Sequence, residues 1–169
     1  MNKNDLRFQK TETAIKEAYK SLKKKNSPTI KVKELCEKAE INKTNFYCHY
    51  ESMDELHREV CRDFTEQVLQ NSDISHAKKL SIRELVYAVM KVCDENRGTF
   101  ENLYGNEMNH LVDDVENSLM RRLITPDMDE NQKTAIRFCI GGGYRLLVYD
   151  TTVEQVEKVI CFVECVFSN

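Results

Sequence analysis

Apolar residues in this chain recur at the spacing of a helix and almost nowhere at the spacing of a strand. Ile15, Ala18, Tyr19 and Leu22 fall at i, i+3, i+4 and i+7, and Val32, Leu35, Cys36 and Ala39 repeat that spacing. Leu56, Val60, Phe64 and Val68 run at intervals of four. Further stripes are Ile82, Leu85, Val86, Val89 and Cys93, then Met108, Leu111, Val112, Val115 and Leu119. No segment keeps a period of two for long, and no Asn-Gly or Asp-Gly hairpin turn occurs. A chain so patterned buries its apolar stripes only by packing helix on helix, so the expected fold class is all-α.

Breakers punctuate the helices. Asn26-Ser27-Pro28 is expected to end the first helix after the Lys23-Lys24-Lys25 run. Asn71-Ser72-Asp73 marks the main internal break. Arg97-Gly98-Thr99 and Tyr104-Gly105-Asn106 bracket a short helical piece, and Thr125-Pro126-Asp127 closes the next helix. Residues 127–150 read as one long helix interrupted by Gly141-Gly142-Gly143, and Thr151 or Thr152 can cap the last helix. The division is 1–51 as a first domain, 52–70 as the start of a connecting helix, and 71–169 as a second, helical domain.

Charge is unevenly spread. Residues 1–50 carry 12 Lys and Arg against 6 Asp and Glu, a surplus of six positive charges. The remaining 13 basic and 22 acidic residues leave a deficit of nine, for the net −3 of the whole. A basic head on an acidic body suits a polyanionic partner for the head. No apolar run approaches the length of a membrane span, and the first residues lack the apolar core of a signal peptide, so a cytoplasmic location is the default expectation. Seven Cys without a CxxC pair read as buried reduced thiols, with Cys48 or Cys61 as the redox-active alternative. No Gly-rich phosphate loop, GxSxG or HExxH motif is present, and His76 and His110 stand apart from metal-spaced partners. The expectation is therefore a protein that is not an enzyme and takes no cofactor or metal.

The informative stretch is residues 31–56. A short amphipathic helix from Val32 to Lys38 is followed by a turn at Ala39-Glu40-Ile41-Asn42 and a second short helix from about Lys43 to His49. Helix, tight turn, helix is the geometry that lays a second helix in the DNA major groove. Asn42 fits as its N-cap. The reading turns Phe46 and Tyr50 towards the core and presents Lys43, Thr44, Asn45, Tyr47 and His49 outward, donors and acceptors of the kinds that meet base edges and phosphates.

This stretch resembles the tetracycline-repressor (TetR) family of transcriptional regulators, whose pattern here is roughly Ala-Gly-Val-Ser-x-Gly-Thr-Leu-Tyr-x-Tyr-Phe-x-Ser-Lys-Glu-x-Leu. The chain reads Ala39-Glu40-Ile41-Asn42-Lys43-Thr44-Asn45-Phe46-Tyr47-Cys48-His49-Tyr50-Glu51-Ser52-Met53-Asp54-Glu55-Leu56. The match covers about the first third of the chain. The resemblance implies a three-helix DNA-binding domain followed by a C-terminal helical domain for dimerisation and effector binding. It implies a phosphate contact for Tyr47, base and backbone reading by Lys43, Thr44 and Asn45, and a helix cap at Ser52. Three departures stand out: Lys31 where Thr is frequent, keeping a phosphate-capable group; Glu40 in place of the turn Gly, which strains or alters the turn; and Met53 in place of a phosphate-touching Lys.

The last helix is apolar on more than one face, and Val156, Ile160, Phe162, Val163, Val166 and Phe167 are the expected homodimer interface. Two-fold symmetry then matches a palindromic operator in double-stranded DNA. Tyr87, Phe100, Tyr104, His110, Phe138 and Tyr144 are candidates for lining an effector cavity, each of them also an ordinary core residue. The expected function is a sequence-specific DNA-binding regulator, a repressor released by a small-molecule effector. The alternative is a helical protein-interaction module whose degenerate helix-turn-helix binds no specific DNA.

Overall fold

Short polar side chains set where several helices of this chain begin. The computed structural model describes residues 5–24, 29–74, 81–130, 133–134, 136–138, 140–142 and 152–167. All regular secondary structure among them is helical: α1 (Leu6–Leu22), α2 (Val32–Lys38), α3 (Lys43–His49), α4 (Met53–Gln70), α5 (Ile82–Glu95), α6 (Arg97–Tyr104), α7 (Met108–Leu123), helical backbone at residues 130, 133–134, 136–138 and 140–142, and a C-terminal helix (Val153–Phe167). Asp5 caps α1 by accepting from the Arg7 N–H at 2.8 Å. The Ser52 hydroxyl accepts from Glu55 N–H at 3.1 Å at the start of α4. Ser81 and Glu84 form a reciprocal capping box on α5, and Thr152 and Gln155 do the same for the C-terminal helix.

α1 ends at Leu22, with Lys23 extended as its cap, earlier than the lysine run suggested. Lys25 to Pro28 lie outside the described residues. Gly98 sits inside the first turn of α6, so the break before that helix falls at Asn96. Gly141 and Gly142 are helical, so the expected interruption is not seen there, and Gly143 lies outside the described residues. A Cβ on either glycine would meet open space.

The chain divides into two compact units: residues 1–64 with 98–108, and residues 65–97 with 109–169. The core of the first unit joins Ile15, Ala18 and Tyr19 of α1 to Leu35 and Cys36 of α2, Phe46 of α3, Leu56 and Val60 of α4, and Phe100, Leu103 and Tyr104 of α6. Phe64 and Phe100 meet edge to face at 5.3 Å. Each fully buried large apolar side chain stabilises by roughly 1.5–3 kcal/mol relative to exposure. α1 is also tied to α4 by charge. Lys16 reaches Glu12 at 3.0 Å, Glu59 at 2.5 Å and Asp63 at 2.6 Å. Burial disfavours the Lys16 charge, but these carboxylates outweigh it and hold its pKa above the ordinary lysine range.

The second unit buries Leu69, Ile74, Val92, Leu111, Val115, Leu119, Leu123, Ile140, Val156 and Ile160. Its polar counterpart to Lys16 is Glu66. The carboxylate of Glu66 accepts from Ser118 Oγ at 2.7 Å, from Arg121 at 2.8 Å and from Arg122, so the C-terminal part of α4 is bound to α7. Ser118 is only 1% exposed, which makes Glu66 its needed partner.

Two outcomes follow from these elements. The Arg122 guanidinium, with Ser118 and Arg121, lowers the Glu66 pKa to about 2. A depressed carboxylate adds stability that is fully present above its unfolded value near 4.5 and fades as pH falls towards 2. The melting-temperature gap between wild type and Glu66→Gln should therefore be largest at neutral pH and narrow on acidification towards pH 3. A pH-independent gap contradicts the assignment. The second outcome concerns Glu40, whose φ is +55°. A side chain in that region costs about 1–2 kcal/mol. Glu40→Gly should raise unfolding stability by about 1 kcal/mol in urea titrations, and Glu40→Val should lower it.

Candidate nucleic-acid interface

The site is built on the turn between α2 and α3. Ala39 closes α2, Glu40 is left-handed, and Ile41 is half-buried. Ile41 N–H donates to Cys36 O at 3.0 Å and Glu40 N–H to Glu37 O at 3.4 Å. These are the two bonds of a Schellman C-terminus, which needs a left-handed residue where Glu40 stands. Asn42 then caps α3, its Oδ1 accepting from Asn45 N–H at 2.8 Å.

Phe46 is completely buried and anchors α3, and Tyr50 is 2% exposed just beyond its end. Lys43, Thr44, Asn45, Tyr47 and Cys48 are exposed. Thr44 and Cys48 lie nearly opposite Phe46 around the helix, with Asn45 and Tyr47 on its flanks. The Tyr47 ring is 57% exposed and stands edge-on to Phe46 at 5.2 Å. Lys31 is exposed at the start of α2 and makes no side-chain cap. The structure thus collects Lys31, Asn42, Lys43, Thr44, Asn45 and Tyr47 as exposed residues of one helix-turn-helix.

His49 departs from the outward placement expected for it. It is half-buried, stacked on Phe8 of α1 with ring centroids 3.9 Å apart, and its Nδ1 is buried without a hydrogen-bond partner among the described residues. Burial lowers its pKa, so the ring is held neutral. The cause is helical phase: His49 follows Phe46 by three residues and shares much of its inward face. Phe8, which packs on the end of α3, and Lys16, which fixes α1 to α4, were not legible as site residues. The Glu12–Lys16 spacing marks an ion pair along α1, but nothing in the sequence pairs Lys16 with Glu59 and Asp63.

The other expected groupings are dispersed. Phe100 and Tyr104 are buried in the first unit, while Tyr87, His110 and Phe138 belong to the second. Tyr87 donates its hydroxyl to Glu157, His110 is exposed beside Asp113, and Phe138 is 66% exposed. Tyr144 lies outside the described residues. Of the expected dimer contacts, Val156 and Ile160 are buried within the chain itself. Phe162 is 66% exposed, and Val159 joins it at 40%. The side chains of Val163, Val166 and Phe167 lie outside those described. No helix among the described residues is long and apolar enough to cross a membrane.

No family model matches the sequence, and no curated protein matches it. Among solved structures, the chain is similar to a TetR transcriptional regulator from Streptococcus agalactiae 2603V. The two share 19% identity over 93% of this chain and 95% of that one, with a TM-score of 0.57. At that identity the likeness is one of fold, and it spans nearly the full length of both chains. The chain therefore has the all-helical fold of a TetR transcriptional regulator.

Proposed function

We propose that this protein is a transcriptional regulator that binds a palindromic operator in double-stranded DNA as a homodimer, acting as a repressor. The observation that carries the reading is that Lys43, Thr44, Asn45 and Tyr47 are all exposed on a short helix anchored by the buried Phe46. Lysine and asparagine offer the donors and acceptors that read base edges, and a tyrosine hydroxyl suits a phosphate oxygen. Lys31 extends the positive surface at the start of α2. The surplus of basic residues in 1–50 supplies the attraction to a polyanion. His49 serves this reading as a packing residue that fixes the end of α3 on Phe8.

Dimerisation is assigned to the outward face of the C-terminal helix. Val159 and Phe162, with Phe138, are large apolar groups left uncovered in the single chain. Release from DNA by a small-molecule effector belongs to the same reading.

Recognition is tested by anisotropy titrations on a selected duplex and a random one at several salt concentrations. Lys43→Ala and Asn45→Ala should each change base preference at a cost of about 1–3 kcal/mol on the preferred site. Tyr47→Phe should weaken both duplexes alike. If neither alanine variant changes binding to the preferred site, α3 is not the reading helix. If wild type shows no preference at any salt, the helix-turn-helix is an interaction module and not an operator reader.

Assembly is tested by sedimentation. Wild type should sediment as a dimer at micromolar concentration. Phe162→Asp should give a folded monomer with undiminished helical circular dichroism, because Phe162 lies outside the core of its own chain. A wild-type monomer refutes the assembly.

A further inference from the structure

A cavity of about 330 Å³ lies within the first unit. Its walls come from the end of α1, residues 29–30, the first turns of α4, the end of α6 and the turn that follows α6. Gly105 shapes that last turn, with φ +51° and its N–H donated to Glu101 O at 3.0 Å. The volume falls within the range of pockets that hold small organic ligands.

The lining defines a chemistry. Tyr19, Ile30 and Tyr104 are each less than a tenth exposed, and Met53 completes an apolar and aromatic wall. The ionised groups balance, with Lys23 and Lys24 against Asp54 and Glu107, so no net charge favours an ionic ligand. Polar groups line the rest, among them Thr29, Asn102 and Asn106, and His57 is the one set against the buried Tyr19. Tyr19 Oη lies 2.9 Å from its Nδ1, while its Nε2 is 3.6 Å from a Glu107 carboxylate oxygen. Burial, aided by Lys23, lowers the His57 pKa, so the ring is neutral at pH 7. A neutral ring carries one N–H, and the neighbouring carboxylate favours placing it on Nε2, with the Tyr19 hydroxyl donating to Nδ1. At 3.6 Å the Nε2–H and the carboxylate do not form a direct hydrogen bond.

We propose that this cavity binds an uncharged hydroxylated aromatic molecule of one or two rings. Its ring lies along Tyr19, Met53 and Tyr104, and its hydroxyl bridges His57 and Glu107. The hydroxyl accepts from Nε2–H and donates to the carboxylate, completing a chain of hydrogen bonds from Tyr19 to Glu107. Such a ligand touches the first turn of α4, which follows α3 after three residues, and thereby influences how α3 is presented. This last step rests on the DNA-binding reading above; the binding site itself does not.

The test is calorimetric titration of the full chain, without DNA, with 2-naphthol and with 2-methoxynaphthalene, which keeps the rings and loses the donor. Wild type should bind one 2-naphthol per chain, at least about tenfold tighter than the methoxy compound, since a hydrogen bond to a charged group is lost. Glu107→Ala, at a residue whose side chain is 60% exposed, should remove that preference without disturbing the fold. His57→Phe should weaken 2-naphthol likewise while sparing 2-methoxynaphthalene. The proposal is overturned if 2-naphthol does not bind, if both compounds bind wild type equally, or if Glu107→Ala keeps the tenfold preference. Because no DNA is present, loss of this site and failure of operator binding are separate results.

Discussion

The burial of Phe46 is the interaction on which the helix-turn-helix depends. α3 has seven residues, too few to persist as an isolated helix in water. It exists because one side chain is fully inside the core, Asn42 caps its start and Tyr50 seals its end. Once Phe46 is fixed inward, the 100° step of the helix decides everything else. Thr44 and Cys48 must face away, Asn45 and Tyr47 must flank them, and His49 must lean back towards Phe8. The exposure of Thr44, Asn45, Tyr47 and Cys48 is thus a geometric consequence of one buried ring.

Polar anchors then restrain the longer helices. Lys16 among three carboxylates joins α1 to α4, and Glu66 among Ser118, Arg121 and Arg122 joins α4 to α7. α4 accordingly meets a different charged partner in each compact unit. Charge clusters of this kind add direction to packing that apolar contact alone leaves permissive, because hydrogen-bonded forks tolerate less sliding than methyl groups do.

Much of this architecture was legible in the sequence because it depends on local chemistry. The stripes of α1, α2, α4 and α7 became buried faces, the caps at Asn42 and Thr152 are formed by residues whose side chains suggested them, and the cap at Ser52 by the residue the family resemblance implied. Glu40 was legible as a strained turn residue, and its backbone is left-handed. What was not legible depends on partners distant in sequence or on phase. His49 looked polar and therefore outward, yet its phase with Phe46 turned it in. Val156 and Ile160 looked like surplus apolar residues for a second subunit, yet they complete the chain's own core. The His57 cavity draws on α1, α4 and the turn after α6, segments that no local pattern brings together.

The left-handed backbone at Glu40 also limits how this protein can diverge. Most surface positions of a helix-turn-helix accept many residue types, because a side chain in solvent costs little to exchange. At this position the backbone itself discriminates: glycine is free there, asparagine and aspartate tolerate it, and valine, isoleucine and threonine are nearly forbidden. Substitutions at Glu40 are therefore filtered by conformation before any contact with another molecule is considered. Related chains can alter the exposed residues of α3 far more freely than the one turn residue that aims them.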